Sequence, residues 1–135
     1  MFTRLFAPTV EVQAHCDLPC GVYDPAQARI EAESIKAVIG KLADNDDPDF
    51  RTRAVIIKEQ RSELVKHHLW VLWTDYFKPP HFEKYPELHE LFNKATKKAG
   101  GGPGGAKGSL DAKVADDLLA KIDEIAEIFW ETKKS

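Results

Sequence analysis

Apolar residues recur at helical spacing along most of the chain, and the breaks fall at proline, glycine and short acidic runs. Ile35, Val38, Ile39 and Leu42 repeat three or four residues apart with Ile30 just upstream, which predicts an amphipathic helix over about 25–43. Asp24 is placed to cap it, Pro25 suits the first helical position, and Gly40 weakens its last turns. Asn45-Asp46-Asp47-Pro48 reads as a stop followed by a new start. In a long second helix, about 48–77, one side is traced by Ala54, Ile57, Arg61, Leu64, His68 and Val71 or Leu72. Phe50, Lys58, Val65, Leu69 and Trp73 fall close by, and a stripe this wide belongs to the core of a bundle or of an oligomer. Pro79-Pro80 ends this helix, residues 81–85 read as a turn, and Pro86 begins a shorter helix to about Ala99. Six of the eight glycines fall in 100–108, which reads as a flexible connection. Ser109 is placed to cap a final helix whose apolar face runs from Leu110 through Val114, Leu118, Ile122 and Ile125 to Phe129. The fold class expected is all-α, an antiparallel four-helix bundle.

Composition narrows the class without naming a chemistry. The 135 residues fit one domain, 43% hydrophobic and 30% charged, with no run long enough to span a membrane. A formal net charge of -3 gives no reason to expect a nucleic-acid or anionic-membrane partner. Two cysteines do not make a disulfide framework; on count alone they read as buried thiols or a single disulfide. Residues 1–14 carry Phe2, Leu5, Phe6, Val10 and Val12, but Glu11 and Gln13 interrupt the apolar run that export requires, so a cytoplasmic location is expected. Composition alone favours an arm packed on the bundle, whereas Gln13-Ala14 also offers a small residue at a processing site before His15.

Several familiar constellations are absent. No glutamate is followed by histidine three residues on, so the paired motif of di-iron bundles is missing. Lys107 follows Ala106 and precedes Gly108, so the glycine-rich run is not a phosphate loop. Adjacent His67 and His68 cannot chelate together from one helical face, one being expected to pack internally and the other to be more exposed. His81 and His89 are discounted as metal ligands in the same way.

What remains is His15-Cys16-Asp17-Leu18-Pro19-Cys20-Gly21-Val22-Tyr23-Asp24-Pro25, which holds both cysteines and lies outside the helical stripes. This run resembles the nickel-binding hook of the nickel-containing superoxide dismutase family. The likeness continues through KEQRSELVKHH at 58–68, LWTDYFKPPHFEKYPELHELFNKATK at 72–97 and IFWETKK at 128–134. The resemblance implies a nickel ion held by His15, Cys16 and Cys20: two sulfurs, the Cys16 backbone nitrogen and the His15 amine in a square plane, with the His15 imidazole as fifth ligand when oxidised. Thiolates and an ionised amide donate strongly enough to bring Ni(III) within reach, and soft sulfur in a square-planar N,S set suits nickel.

The resemblance also assigns roles around the metal. Pro19 and Gly21 shape the hook, and Asp17 pins it. Tyr23 stands beside the open face of the metal, where it orders water and restricts access. Glu31 hydrogen-bonds the His15 imidazole and Arg61 holds that carboxylate, partly across a subunit boundary. Tyr76 and Lys78 belong to the outer wall and to the positive potential that an anionic substrate meets. Each has a plain alternative: a packed ring for Tyr23, helix-surface charges for Glu31 and Arg61.

In the family the hook opens the mature chain, whereas fourteen residues precede it here. The expectation is therefore a propeptide-like extension at 1–14 ahead of a hook-and-bundle domain at 15–135. A processing protease would remove the extension, with room for a nickel-delivery factor, and the assembly would be a homohexamer. The activity implied is disproportionation of the superoxide anion. Its rival is a non-enzymatic helical bundle that self-assembles or stores metal through the same hook. Of Trp70, Trp73, Phe77, Phe82 and Trp130, at least half are expected in the intrachain core.

Overall fold

The computed structural model describes residues 20–134, and within them every regular element is helical. Helix α1 spans Ala26–Ala43 and α2 spans Pro48–Val71, continued by a π-helical turn at Leu72–Tyr76. Then come α3 (Pro79–Lys84), α4 (Leu88–Ala99) and α5 (Ala112–Lys134). The ends follow local chemistry. Asp24 Oδ1 accepts the Ala26 N–H at 2.8 Å and Asp47 Oδ2 accepts the Phe50 N–H at 2.8 Å, each beside a proline that suits a helix start.

Four helices form a closed ring of neighbours, α1 on α2, α2 on α4, α4 on α5 and α5 on α1. The cross-links show how they run. Arg29 pairs with Asp123 while Lys36 pairs with Asp116, so α5 descends as α1 climbs. Arg51 Nη1 bonds the Leu42 carbonyl while Arg61 reaches Glu31, so α2 is antiparallel to α1 as well. Ala28, Ala32, Ile35, Val65, Leu69, Leu88, Phe92, Leu118, Ile122, Ile125 and Phe129 fill the centre. Close approach at Ala28 and Ala32 is what lets α1 seat against its neighbours.

The structure departs from the sequence reading in four places. Residues expected as a turn at 81–85 belong largely to α3, because the Lys78 N–H is taken by the His81 Nδ1 at 3.0 Å and two prolines pre-set the first turn. The final helix is capped by Asp111, whose Oδ1 accepts the Lys113 N–H at 2.9 Å; Ser109 instead accepts the Asp111 N–H.

The glycine-rich segment is packed rather than an open linker. Gly105 and Ala106 are buried, and the Ala106 carbonyl accepts from the ammonium of Lys58 at 2.6 Å. That lysine is itself only 1% exposed and also reaches Glu59, so a buried charge ties the loop to α2. Last, Phe77 is buried and Phe82 half-buried, but Trp70, Trp73 and Trp130 are exposed, so fewer of the five aromatics are in the core than expected.

Candidate metal centre

Of the proposed ligands, His15 and Cys16 lie outside the described residues, as do Asp17 and Pro19; Cys20 is the first residue described. No three of the described His, Cys, Asp and Glu side chains come together as a metal site.

The Cys20 side chain is exposed, with its Sγ accepting the Val22 N–H at 3.4 Å. A thiol open to solvent is accessible to a soft metal ion, unlike a thiol buried in a core. Gly21 follows at φ 74°, and a Cβ there would meet nothing within 4 Å. Glycine is required for the left-handed backbone, not for space. This reversal delivers the chain to Asp24 and the start of α1.

Beside the turn is a pocket of about 290 Å³ lined by Gly21, Tyr23, Asp75, Tyr76, Lys78, His81 and Lys133. Four parts of the chain converge there: the entry to α1, the π-turn, the start of α3 and the end of α5. The π-turn sets Tyr76. The Phe77 N–H reaches back five residues to the Leu72 carbonyl at 2.9 Å, and turns of this kind recur at functional sites. The Tyr76 hydroxyl lies 2.6 Å from that of Thr132, and its ring lies 5.6 Å from Tyr23. His81 stacks on the Tyr76 ring at 5.7 Å, and the Lys133 ammonium sits 5.0 Å over that ring. Two lysines against one carboxylate, Asp75, make the pocket a place where a small anion meets net positive charge.

Glu31 and Arg61 form an ion pair between α1 and α2, with Arg61 Nη1 3.0 Å from Oε2 and 3.3 Å from Oε1. The pair closes within one chain. The Glu31 side chain is 15% exposed and that of Arg61 40%, so the carboxylate is largely shielded while the guanidinium reaches water. Neither lines the tyrosine pocket; the structure brings Tyr23, Tyr76 and Lys78 together and sets Glu31 and Arg61 apart as a unit.

His67 is exposed and His68 half-buried, the two rings edge to face at 5.5 Å. Sequence reasoning missed His81 and Lys133 as pocket residues, and Thr132 as the partner of Tyr76. The available signal for Lys133 was its position one turn past Phe129, on the same side of α5.

A sequence model of the family described as nickel-containing superoxide dismutase matches residues 10–133. A "Superoxide dismutase [Ni]" of Streptomyces coelicolor (strain ATCC BAA-471 / A3(2) / M145) is 65% identical over 135 residues, covering 100% of both chains. Its counterpart in Streptomyces seoulensis is 63% identical over the same span, again with 100% of each chain covered. The fold is similar to that of a native nickel superoxide dismutase solved at 1.30 Å, with a TM-score of 0.84 and 65% identity, covering 90% of this chain and 100% of that one.

Proposed function

We infer the reaction and its residues from one premise: the chain belongs to the nickel-containing superoxide dismutase family. It is a nickel-dependent enzyme that converts two superoxide anions and two protons to dioxygen and hydrogen peroxide. Bound nickel supplies the one-electron chemistry, alternating between Ni(II) and Ni(III).

His15, Cys16 and Cys20 hold the metal in this reading. The observation that carries it is local. An exposed Cys20 thiol precedes a left-handed Gly21, and Gly21 lines the pocket that Tyr23, Tyr76, Lys78 and Lys133 share. Lys78 and Lys133 attract the anion, a local effect that the chain's net negative charge does not cancel. Tyr23 and Tyr76 narrow access and order water. Glu31 orients the His15 imidazole and Arg61 holds Glu31; such outer partners tune a metal as well as position its ligands.

Residues 1–14 are removed before the enzyme works, leaving a hook-and-bundle domain at 15–135. The curated relatives match this chain end to end, whereas 90% of it accounts for all of the solved native chain, a difference close to fourteen residues in 135. While Ala14 remains attached, the His15 nitrogen is an amide; cleavage makes it an amine with an ordinary pKa of about 7.7–8.0, which can lose a proton near neutral pH and serve as a nickel ligand. A protease does this, and a nickel-delivery factor fits the need to load a site that cleavage completes.

The exposed Trp70, Trp73 and Trp130, with Ile30 and Ile56, offer apolar surface for assembly into a homohexamer. No helix among the described residues is long and apolar enough to cross a membrane. The reaction is placed in the cytoplasm, where a reducing environment keeps Cys16 and Cys20 from closing a disulfide.

The test compares three preparations given equal nickel: the full chain, a chain starting at Ala14 and a chain starting at His15. Rapid superoxide loss and a Ni(III) spin-resonance signal split by a nitrogen ligand are expected only from the last. Equal turnover by the 135-residue chain, with mass spectrometry showing 1–14 still attached, would overturn the cleavage step. Nickel uptake without turnover in all three would favour metal storage.

A further inference from the structure

The geometry points to Thr132 as a positioning residue that fixes the Tyr76 phenol as a hydrogen-bond donor to the protein, so that Tyr76 presents only an acceptor to the pocket. The Thr132 hydroxyl lies 2.6 Å from the Phe129 carbonyl oxygen and 2.6 Å from the Tyr76 hydroxyl. A carbonyl oxygen only accepts, and a threonine hydroxyl carries a single proton. That proton goes to Phe129. The proton between Thr132 and Tyr76 is therefore the phenol's.

The ring has little freedom to turn its hydroxyl elsewhere. His81 stacks on it at 5.7 Å, Phe77 meets it edge-on at 5.0 Å, Phe129 lies 4.3 Å away and the Lys133 ammonium covers a face at 5.0 Å. Thr132 itself is buried on α5, held in register by its bond to the carbonyl three residues back. With the phenol proton committed, Tyr76 does not supply the protons that peroxide formation consumes. Hydrogen-bond donation within the pocket is left to the other groups that line it, Lys78 and Lys133 among them. Tyr76 instead accepts, and so orients whichever donor, water included, sits between it and the substrate.

Raman spectroscopy reads this directly, because the intensity ratio of the tyrosine Fermi doublet separates donating from accepting phenols. The sample is the full chain without nickel, and the difference between wild type and Tyr76→Phe isolates the Tyr76 doublet from those of Tyr23 and Tyr85. A donor ratio is expected in the wild type, lost in Thr132→Val and restored in Thr132→Ser. The wild-type spectrum decides the polarity even if the valine variant folds poorly. An accepting-only ratio for Tyr76 in the wild type, or a donor ratio that persists in Thr132→Val, overturns the assignment. The consequence for turnover rests on the activity proposed above. In nickel-loaded, processed enzyme, Thr132→Val is expected to displace the pH–rate profile, and to do so only while Tyr76 is present. A displacement that survives in the Tyr76→Phe background would show that Thr132 acts by another route and would overturn the positioning role. Failure of the wild type to turn over at all would sink the activity and leave the Raman result standing.

Discussion

Adding one methyl group at Gly105 should cost this protein a large share of its stability, although the position lies in a stretch that composition marks as a linker. A Cβ on Gly105 would overlap the Gly100 carbonyl oxygen, and would lie 2.9 Å from the Gly100 carbonyl carbon and 3.1 Å from the Gly102 oxygen. All three are backbone atoms, so no side chain can swing aside. Relief requires the loop to open, and the loop is held closed by Gly105 N–H to Gly102 at 2.9 Å, Ala106 N–H to Lys98 at 2.7 Å and Lys107 N–H to Gly100 at 3.1 Å. Opening also withdraws the Ala106 carbonyl from the buried Lys58 ammonium. Overpacking costs about 1–3 kcal/mol and a lost charge-assisted bond about 1.5–3 kcal/mol, which together place Gly105→Ala roughly 3–5 kcal/mol below wild type. At about 2–4 °C per kcal/mol the melting temperature should fall by roughly 10 °C. Gly102→Ala is the control, since a Cβ there meets nothing within 4 Å, and it should stay within about 0.5 kcal/mol. The assay is thermal unfolding by circular dichroism at one protein concentration, because assembly contributes to apparent stability. Equal melting of the two variants would show that the loop is not packed tightly enough to exclude a methyl group at Gly105.

Two further outcomes follow from charges on α1 and α2. Glu31→Gln should lower stability by no more than about 1 kcal/mol, since Arg61 is well hydrated, while lowering turnover about 10–100-fold through the His15 imidazole; unchanged turnover with an unchanged Ni(III) spectrum would return Glu31 to the status of a surface charge. Burial pushes the Glu59 carboxyl up, but hydrogen bonds from Lys58 and the Gly108 N–H outweigh it and leave the group below its ordinary value, and Lys107 holds Glu63 down in the same direction. Depressed carboxylates contribute stability that is complete above their unfolded value of about 4.3 and is lost as pH falls through the lower folded one. The glycine-rich loop should therefore loosen in acid below about pH 4, read as a shift of the Gly108 amide resonance that Glu59→Gln abolishes; a Gly108 amide indifferent to acid in the wild type would contradict this.

Four long helices were legible because each carries both a period and an end signal. Asp24-Pro25 and Asp47-Pro48 announce starts that the structure places within a residue or so, and the Ile35–Leu42 and Leu118–Phe129 spacings face the core as the pattern implies. What escaped depends on contacts that no local pattern encodes. A five-residue hydrogen bond at Phe77, a charge hidden under a glycine loop at Lys58 and three tryptophans left at the surface are tertiary outcomes. The site divided along the same line. Cys20, Tyr23, Glu31 and Arg61 were named from motif likeness, and the Glu31–Arg61 contact was found within the chain. His81, Thr132 and Lys133 entered only when helices distant in sequence met around Tyr76. His15 and Cys16 come from the motif and lie outside the described residues.

The π-turn has a further consequence, for how one helix can answer to two directions. In an α-helix residues five apart point about 140° away from each other. Leu72 and Phe77 are five apart, yet both are buried in the same core. The surplus residue carried by Leu72–Tyr76 absorbs that mismatch, and Tyr76 is the position at which it comes out sideways, into the pocket. Core packing and site geometry thus run on different angular phases, and the π-turn is the joint between them. Losing a single residue here would keep the helix continuous and its composition almost unchanged. It would still turn the tyrosine out of the pocket or the phenylalanine out of the core, because an α ladder can satisfy one of the two directions at a time.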